Sequence, residues 1–172
     1  AVCQTWRDIA LGTPALWATL ALRFDLIDRA FASEPGNVDA LADRWLQRAA
    51  PLPLSILFSA LPQYSAHSPP AVTPLHIRNI IHKYAHMIQY LQLNMSMADL
   101  RQTELNSVNF PLLRRAAFVD HDDEESPPDP IHSLIFVFGV FCLRRCPRLR
   151  ELFVFDGGIL SSTWPVAAVD KI

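Results

Sequence analysis

Apolar residues recur along this 172-residue chain with two periods, and the two alternate. The chain opens on a helical stripe of Val2, Trp6 and Ile9. Thr13 suits an N-cap and Pro14 the first helical position, so a second short helix is expected to start there and to place Leu16 and Trp17. Leu20, Leu22 and Phe24 then alternate with Ala21, Arg23 and Asp25, which predicts a strand. Asn37 is a plausible N-cap for a helix carrying Val38, Leu41, Ala42, Trp45, Leu46 and Ala49 on one face, and Pro51 stops it. Residues 54–58 read as a second strand, and residues 63–73 as a loop. Thr73-Pro74 opens another helix, with Ile77, Ile80, Ile81, Tyr84 and Ile88 at helical spacing. The fold class these elements predict is α/β.

One phrase returns three times. Ile88-x-x-Leu91-x-Leu93, Leu113-x-x-Ala116-x-Phe118 and Leu149-x-x-Leu152-x-Val154 share a single spacing. The last two follow a proline at the same offset, in Phe110-Pro111-Leu112-Leu113 and Cys146-Pro147-Arg148-Leu149. The spacing is that of the leucine-rich-repeat core, which lines the inner face of a short parallel strand. Residues 73–87 and 133–145 are expected to cover that face as helices, and residues 96–109 as a shorter, less regular segment. The phrases lack the Asn or Cys of regular repeats, having Ser96, His121 and Gly157 instead, and their separation is uneven. The expectation is an irregular leucine-rich-repeat-like solenoid over residues 19–172, with parallel strands and right-handed crossovers. Trp164-Pro165-Val166-Ala167 reads as the middle of a further repeat, so the region is expected to be incomplete at its C-terminus.

Composition narrows the classes. An apolar fraction of 51% with 19% charged residues describes a globular chain of one domain with at most a small appendage. A net charge of −2 argues against general nucleic-acid binding, which needs a basic footprint. Three cysteines at uneven spacing make no disulfide framework and point to a reducing compartment, cytoplasmic or nuclear. No signal peptide is evident. The most apolar run, residues 131–143, is shorter than the roughly 20 residues of a membrane span, so no membrane partner is expected. Fourteen prolines against five glycines cluster between the periodic segments and mark connections.

Candidate chemistry is sparse. His67, His76, His82 and His86 fall in one stretch, and His82 and His86 are four apart. Such a pair can ligate zinc, but no Cys or carboxylate stands near at metal-site spacing, and the apolar stripe sends both toward solvent. A small metalloenzyme would rest on these histidines alone. Cys142 and Cys146 read as buried structural thiols, and the acidic run from Asp120 to Glu125 as a surface loop able to meet a basic partner. Arg144, Arg145, Arg148 and Arg150 form a basic cluster, either a solvated helix end or one side of a protein-binding surface. Gly157-Gly158 lacks the rest of a phosphate loop, and no nucleophile elbow, Walker-type loop or dinucleotide fingerprint occurs. No catalysis, metal or cofactor is expected.

The opening segment closely resembles the second half of an F-box, in the form common among mushroom-forming fungi: V-C-x-x-W-R-x-I-A, a spacer, then T-P-x-L-W. Val2, Cys3, Trp6, Arg7, Ile9, Ala10, Thr13, Pro14, Leu16 and Trp17 match as they stand. Later phrases of that family follow in order: Trp45-Leu46-Gln47-Arg48, Pro53-Leu54-Ser55-Ile56, the Phe110 phrase, and Pro147 through Leu152. The earlier F-box helix with its Leu-Pro-x-Glu start does not precede residue 1, so residues 1–18 are expected to be the C-terminal half of the motif in a fragment. The resemblance implies a non-catalytic adaptor of an SCF-type cullin-RING ubiquitin ligase. Its F-box would dock on a Skp-type linker joined to the cullin scaffold, and its repeats would hold an unknown substrate protein. Partner-binding candidates are Val2, Cys3, Trp6, Arg7, Ile9, Pro14, Leu16 and Trp17, the last of which could instead join the F-box to the first repeat. The alternative is a repeat-type interaction module with a vestigial F-box and no ligase role.

Overall fold

The computed structural model describes residues 3–23, 38–59, 74–120, 145–156 and 159–165. Six strands make one sheet whose spatial order follows the chain: β1 (Thr19–Arg23), β2 (Leu54–Ser59), β3 (Ile88–Asn94), β4 (Arg115–Asp120), β5 (Glu151–Asp156) and β6 (Ile159–Pro165). β1 through β5 are parallel, and β6 is antiparallel to β5. Parallel neighbours need a crossover. These are supplied by α2 (Val38–Ala49) between β1 and β2, by α3 (Pro74–Tyr84) between β2 and β3, and by α4 (Met97–Gln102) with a 3-10 turn (Leu105–Ser107) between β3 and β4. Ahead of the sheet lie α1 (Gln4–Leu11) and a 3-10 turn (Pro14–Trp17). The chain is therefore mixed α/β.

The repeated phrase maps directly onto the core. Leu20, Ile56, Leu91, Ala116 and Leu152 are register partners from strand to strand, as are Leu22, Phe58, Leu93, Phe118 and Val154. All but the half-buried Leu22 are buried. These two ladders face Val38, Ala42, Leu46 and Ala49 of α2 and Ile77, Ile80, Ile81 and Tyr84 of α3, all within one cluster. The three-residue step from Ile88 to Leu91 breaks strict alternation, yet both are buried. A bulge absorbs the extra residue: Leu54 pairs Ile88 but Ser55 pairs Tyr90, which leaves Gln89 over.

The prolines act in turns. Leu113 N–H donates to the Phe110 carbonyl at 3.3 Å, and Leu149 N–H to the Cys146 carbonyl at 3.0 Å. Pro111 and Pro147 thus occupy the position of a turn for which their fixed φ is already set. Ile88 N–H makes the corresponding bond to Ala85 O at 3.4 Å without a proline.

Several expectations need correction. The short helix expected from Pro14 is present as a 3-10 turn with Thr13 at its N-cap position, but the Thr13 hydroxyl does not cap it and donates back to the Ile9 carbonyl at 2.7 Å. Leu41 sits at the margin of the α2 face and is 39% exposed. α3 ends at Tyr84, and Ile88 begins β3 instead of extending the helix. Trp164 and Pro165 belong to an antiparallel return strand, so this stretch forms a hairpin arm with β5 and not another parallel unit. Asn37, Phe24 and Asp25, the loop at 63–73 and the apolar run at 131–143 lie outside the described residues. So does the helix expected at 133–145, apart from the exposed Arg145.

Candidate functional site

α1 is short and no residue of it is buried. Gln4 Nε2 donates to Asp8 Oδ1 at 2.8 Å across one turn, a modest local support. The helix is tied to the rest of the chain through Trp17. The Trp17 indole Nε1–H donates to the Ala10 carbonyl at 2.7 Å. The same ring meets Trp45 of α2 edge-on, with centroids 4.7 Å apart and planes at 73°. The Arg48 guanidinium lies 4.6 Å above the Trp17 ring centre. Trp45 in turn donates from Nε1 to the Thr19 carbonyl at 3.1 Å, which links this aromatic pair to the first strand.

Around that anchor the other apolar side chains face water. Trp6 is 68% exposed, Leu16 59% and Ile9 53%. Cys3 and Arg7 are also exposed, Pro14 and Trp17 are half-buried, and Val2 lies outside the described residues. The eight candidates thus divide: Trp6, Ile9 and Leu16 stand free of the core, whereas Trp17 is engaged by α2. A lone exposed Leu needs no explanation, but a Trp, an Ile and a Leu exposed on one short helix-turn unit form apolar surface that the described core does not bury.

Among the described residues, the remaining candidates do not assemble into chemistry. His82 and His86 are exposed and His76 is half-buried, while His67 is outside the described residues. Among the described residues, no group of three His, Cys, Asp or Glu side chains is placed to hold a metal ion. Cys146 is buried and Cys3 exposed; Cys142 is not among the described residues. Asp120 ends β4, and the rest of the acidic run lies outside. Arg145 donates to the Ser107 carbonyl at 2.7 Å, bracing the turn before β4. Near α3, Tyr84 donates to Asp43 Oδ1 at 3.0 Å and Lys83 pairs with the same carboxylate. Burial and then the Asp43 bond and charge push the Tyr84 hydroxyl pKa up to about 12.

A second surface was not visible in any one segment. On the sheet face opposite the core, Thr19, Ser55, Tyr90, Arg115 and Glu151 form one row, and Ala21, Leu57, Gln92, Ala117 and Phe153 the next. A cavity of about 490 Å³ opens at the first row, lined by Gln89, Tyr90, Arg114, Arg115, Arg150 and Glu151 together with Ser55. Arg115 Nε pairs with Glu151 Oε2 at 2.9 Å across the strands. With its amide oxygen turned toward Arg114, Gln89 accepts from Nε and Nη1 at 3.1 and 3.2 Å. Tyr90 donates to Gln92 Oε1 at 2.7 Å, and Gln92 Nε2 to Asn94 Oδ1 at 3.1 Å, a polar rail along β3. Burial raises the Tyr90 pKa, against the opposing pull of the Arg115 charge. A signal for this cavity did exist: Gln89, Arg114 and Arg150 each follow the first residue of the repeated phrase.

The fold and these surfaces describe an α/β protein with a largely parallel sheet, a charged recess on the sheet face opposite the core and an exposed apolar helix-turn unit. No helix among the described residues is long and apolar enough to cross a membrane. No family model, curated protein or solved structure matches the chain.

Proposed function

We propose that this chain is the substrate-recognition part of an SCF-type cullin-RING ubiquitin ligase, with no catalytic role of its own. In this reading α1 and the turn after it dock on a Skp-type linker, and an irregular leucine-rich-repeat-like solenoid holds the substrate. The observation that carries it is the exposure of Trp6, Ile9 and Leu16 at the positions that match the F-box phrase. Anchors of this kind gain affinity by being fully desolvated in a partner's pocket. The sequential order of parallel strands, with the repeated phrase in register from β3 to β5, supports the solenoid reading.

The test is capture of a purified Skp-type adaptor by the full-length gene product that carries this chain, with and without Trp6→Asp. A charged group in place of a buried aromatic anchor is expected to weaken capture by about tenfold or more. No capture by the unsubstituted protein sinks the ligase role. The engagement of Trp17 by Trp45 and Arg48 favours a second reading, in which residues 3–17 cap the first sheet edge of a repeat-type interaction module. That reading expects partners that depend on the sheet and none that depend on Trp6.

A further inference from the structure

The recess on the sheet face opposite the core holds positive charge that, among the described residues, only Glu151 offsets. Arg114 and Arg150 come from neighbouring passes of the sheet, where Arg150 N–H donates to the Arg114 carbonyl at 2.8 Å. Adjacent strands run about 4.8 Å apart, and like charges set opposite one another on them are destabilising. Arg115, one position further in, has a counterion in Glu151. Among the described residues no carboxylate pairs with Arg114 or Arg150. The Gln89 amide that meets Arg114 is neutral. Among the described residues, three guanidinium groups and a single carboxylate therefore line one recess, in a protein whose net charge is −2. Guanidinium groups in this arrangement suit carboxylates, which accept two parallel N–H bonds.

The surface next to the cavity is of a different kind. The second row contains Leu57, Ala117 and Phe153, and the third Val119 and Phe155. Phe153 and Phe155 are only half-buried, so apolar area continues from the charged recess along β5. A ligand that satisfies both parts must present acid first and apolar side chains beside it.

We propose that this groove binds an acidic peptide segment of a partner protein, with two neighbouring carboxylates on Arg114 and Arg150 and an adjoining apolar side chain on Phe153. The inference rests on the ligase reading only in naming that segment as part of the substrate. The peptide contact itself does not involve α1.

Fluorescence anisotropy with the whole chain and a labelled Gly-Ser-Glu-Glu-Leu-Phe-Gly-Ser peptide tests it. Saturable binding is expected, weakened about tenfold or more when both glutamates are replaced by glutamine, since each charge-assisted bond is among the stronger ones. The double variant Arg114→Gln with Arg150→Gln should lose affinity to the same extent. Arg101→Gln on the exposed side of α4 should change nothing. The glutamine peptide probes the same pairing on the unaltered protein, so a folding defect in the double variant cannot disguise the answer. No saturable binding, equal binding of the glutamine peptide, or tighter binding of a polyuridine RNA overturns the proposal. Adaptor capture and peptide binding are also measured together on the full-length gene product. Absence of peptide binding by the unsubstituted protein with capture intact removes the groove alone, and absence of capture by the unsubstituted protein with peptide binding intact removes the ligase reading alone.

Discussion

Replacing Trp17 by alanine should release α1 while leaving the sheet folded. The helix has eight residues and none is buried. A helix of that length does not persist alone in water. Its attachment runs in series, from the Ala10 carbonyl through the indole N–H to Trp17, and from that ring to Trp45 and Arg48. The indole bond is worth about 1 kcal/mol as a part-buried hydrogen bond. The edge-on ring pair adds about 1 kcal/mol. The cation above the ring adds about 0.5 kcal/mol at a solvent-facing site. The hydrogen bond alone sets the lower limit on what holds α1, and the full set, about 2.5 kcal/mol, sets the upper. At 1.4 kcal/mol per decade, these limits correspond to about fivefold and about sixtyfold in the opening equilibrium. Amide hydrogen exchange reads this directly. In Trp17→Ala, the amides of residues 7–11 should exchange faster by a factor within those limits, while those of β2 and β3 keep most of their protection. Trp17→Phe keeps a ring against Trp45 but has no N–H, so it should fall near the lower limit. Unchanged protection of α1 in Trp17→Ala would refute the idea that this side chain tethers the helix.

Two further outcomes test the core and its margin. Leu91→Ala opens a cavity between register partners Ile56 and Ala116 in the middle of the sheet. It should cost about 3 kcal/mol and lower Tm by roughly 10 °C, measured by calorimetry. The raised pKa of Tyr84 makes a pH prediction with a definite sign. Its neutral form is favoured in the folded state, so the folded chain holds that proton where the unfolded chain has lost it. The contribution is complete below about pH 10 and disappears as pH rises through about 12. Asp43→Asn should move the Tyr84 titration toward its ordinary value, followed by tyrosinate absorbance with Tyr84→Phe identifying the signal. A titration unmoved by Asp43→Asn would contradict the assignment of its cause.

Much of the local structure was legible because burial of one face imposes a period on the residues that form it. Val38, Ala42, Leu46 and Ala49 repeat as a helix must, and Leu54, Ile56 and Phe58 as a strand must; all are buried. The Pro-x-Leu phrase also carried its own geometry, since a fixed φ at Pro111 and Pro147 sets the turn before each strand. Where local pattern misled, a neighbour decided the outcome. Ile88 fits the α3 stripe and also the start of β3, and hydrogen bonding with β2 settles which it joins. The segment 14–17 has a helix-start signature, but it is too short to hold more than a 3-10 turn before β1 begins.

Along the chain nothing separates those of the eight partner-binding candidates that stand exposed from those that are engaged. Trp6 and Trp17 look alike along the chain, and only the arrival of Trp45 and Arg48 from α2 separates an engaged tryptophan from a free one. By sequence, Arg150 groups with Arg144, Arg145 and Arg148, its neighbours in the chain. Lateral pairing of β4 with β5 places it instead beside Arg114 and Arg115, in a recess completed by β3. Residue periodicity thus specified the elements and the face each one buries, because those depend on side chains a few positions apart. The order and direction of the strands, and with them the charged groove and the antiparallel β6, depend on backbone hydrogen bonds between segments far apart in the chain, and those bonds leave no mark on the local pattern.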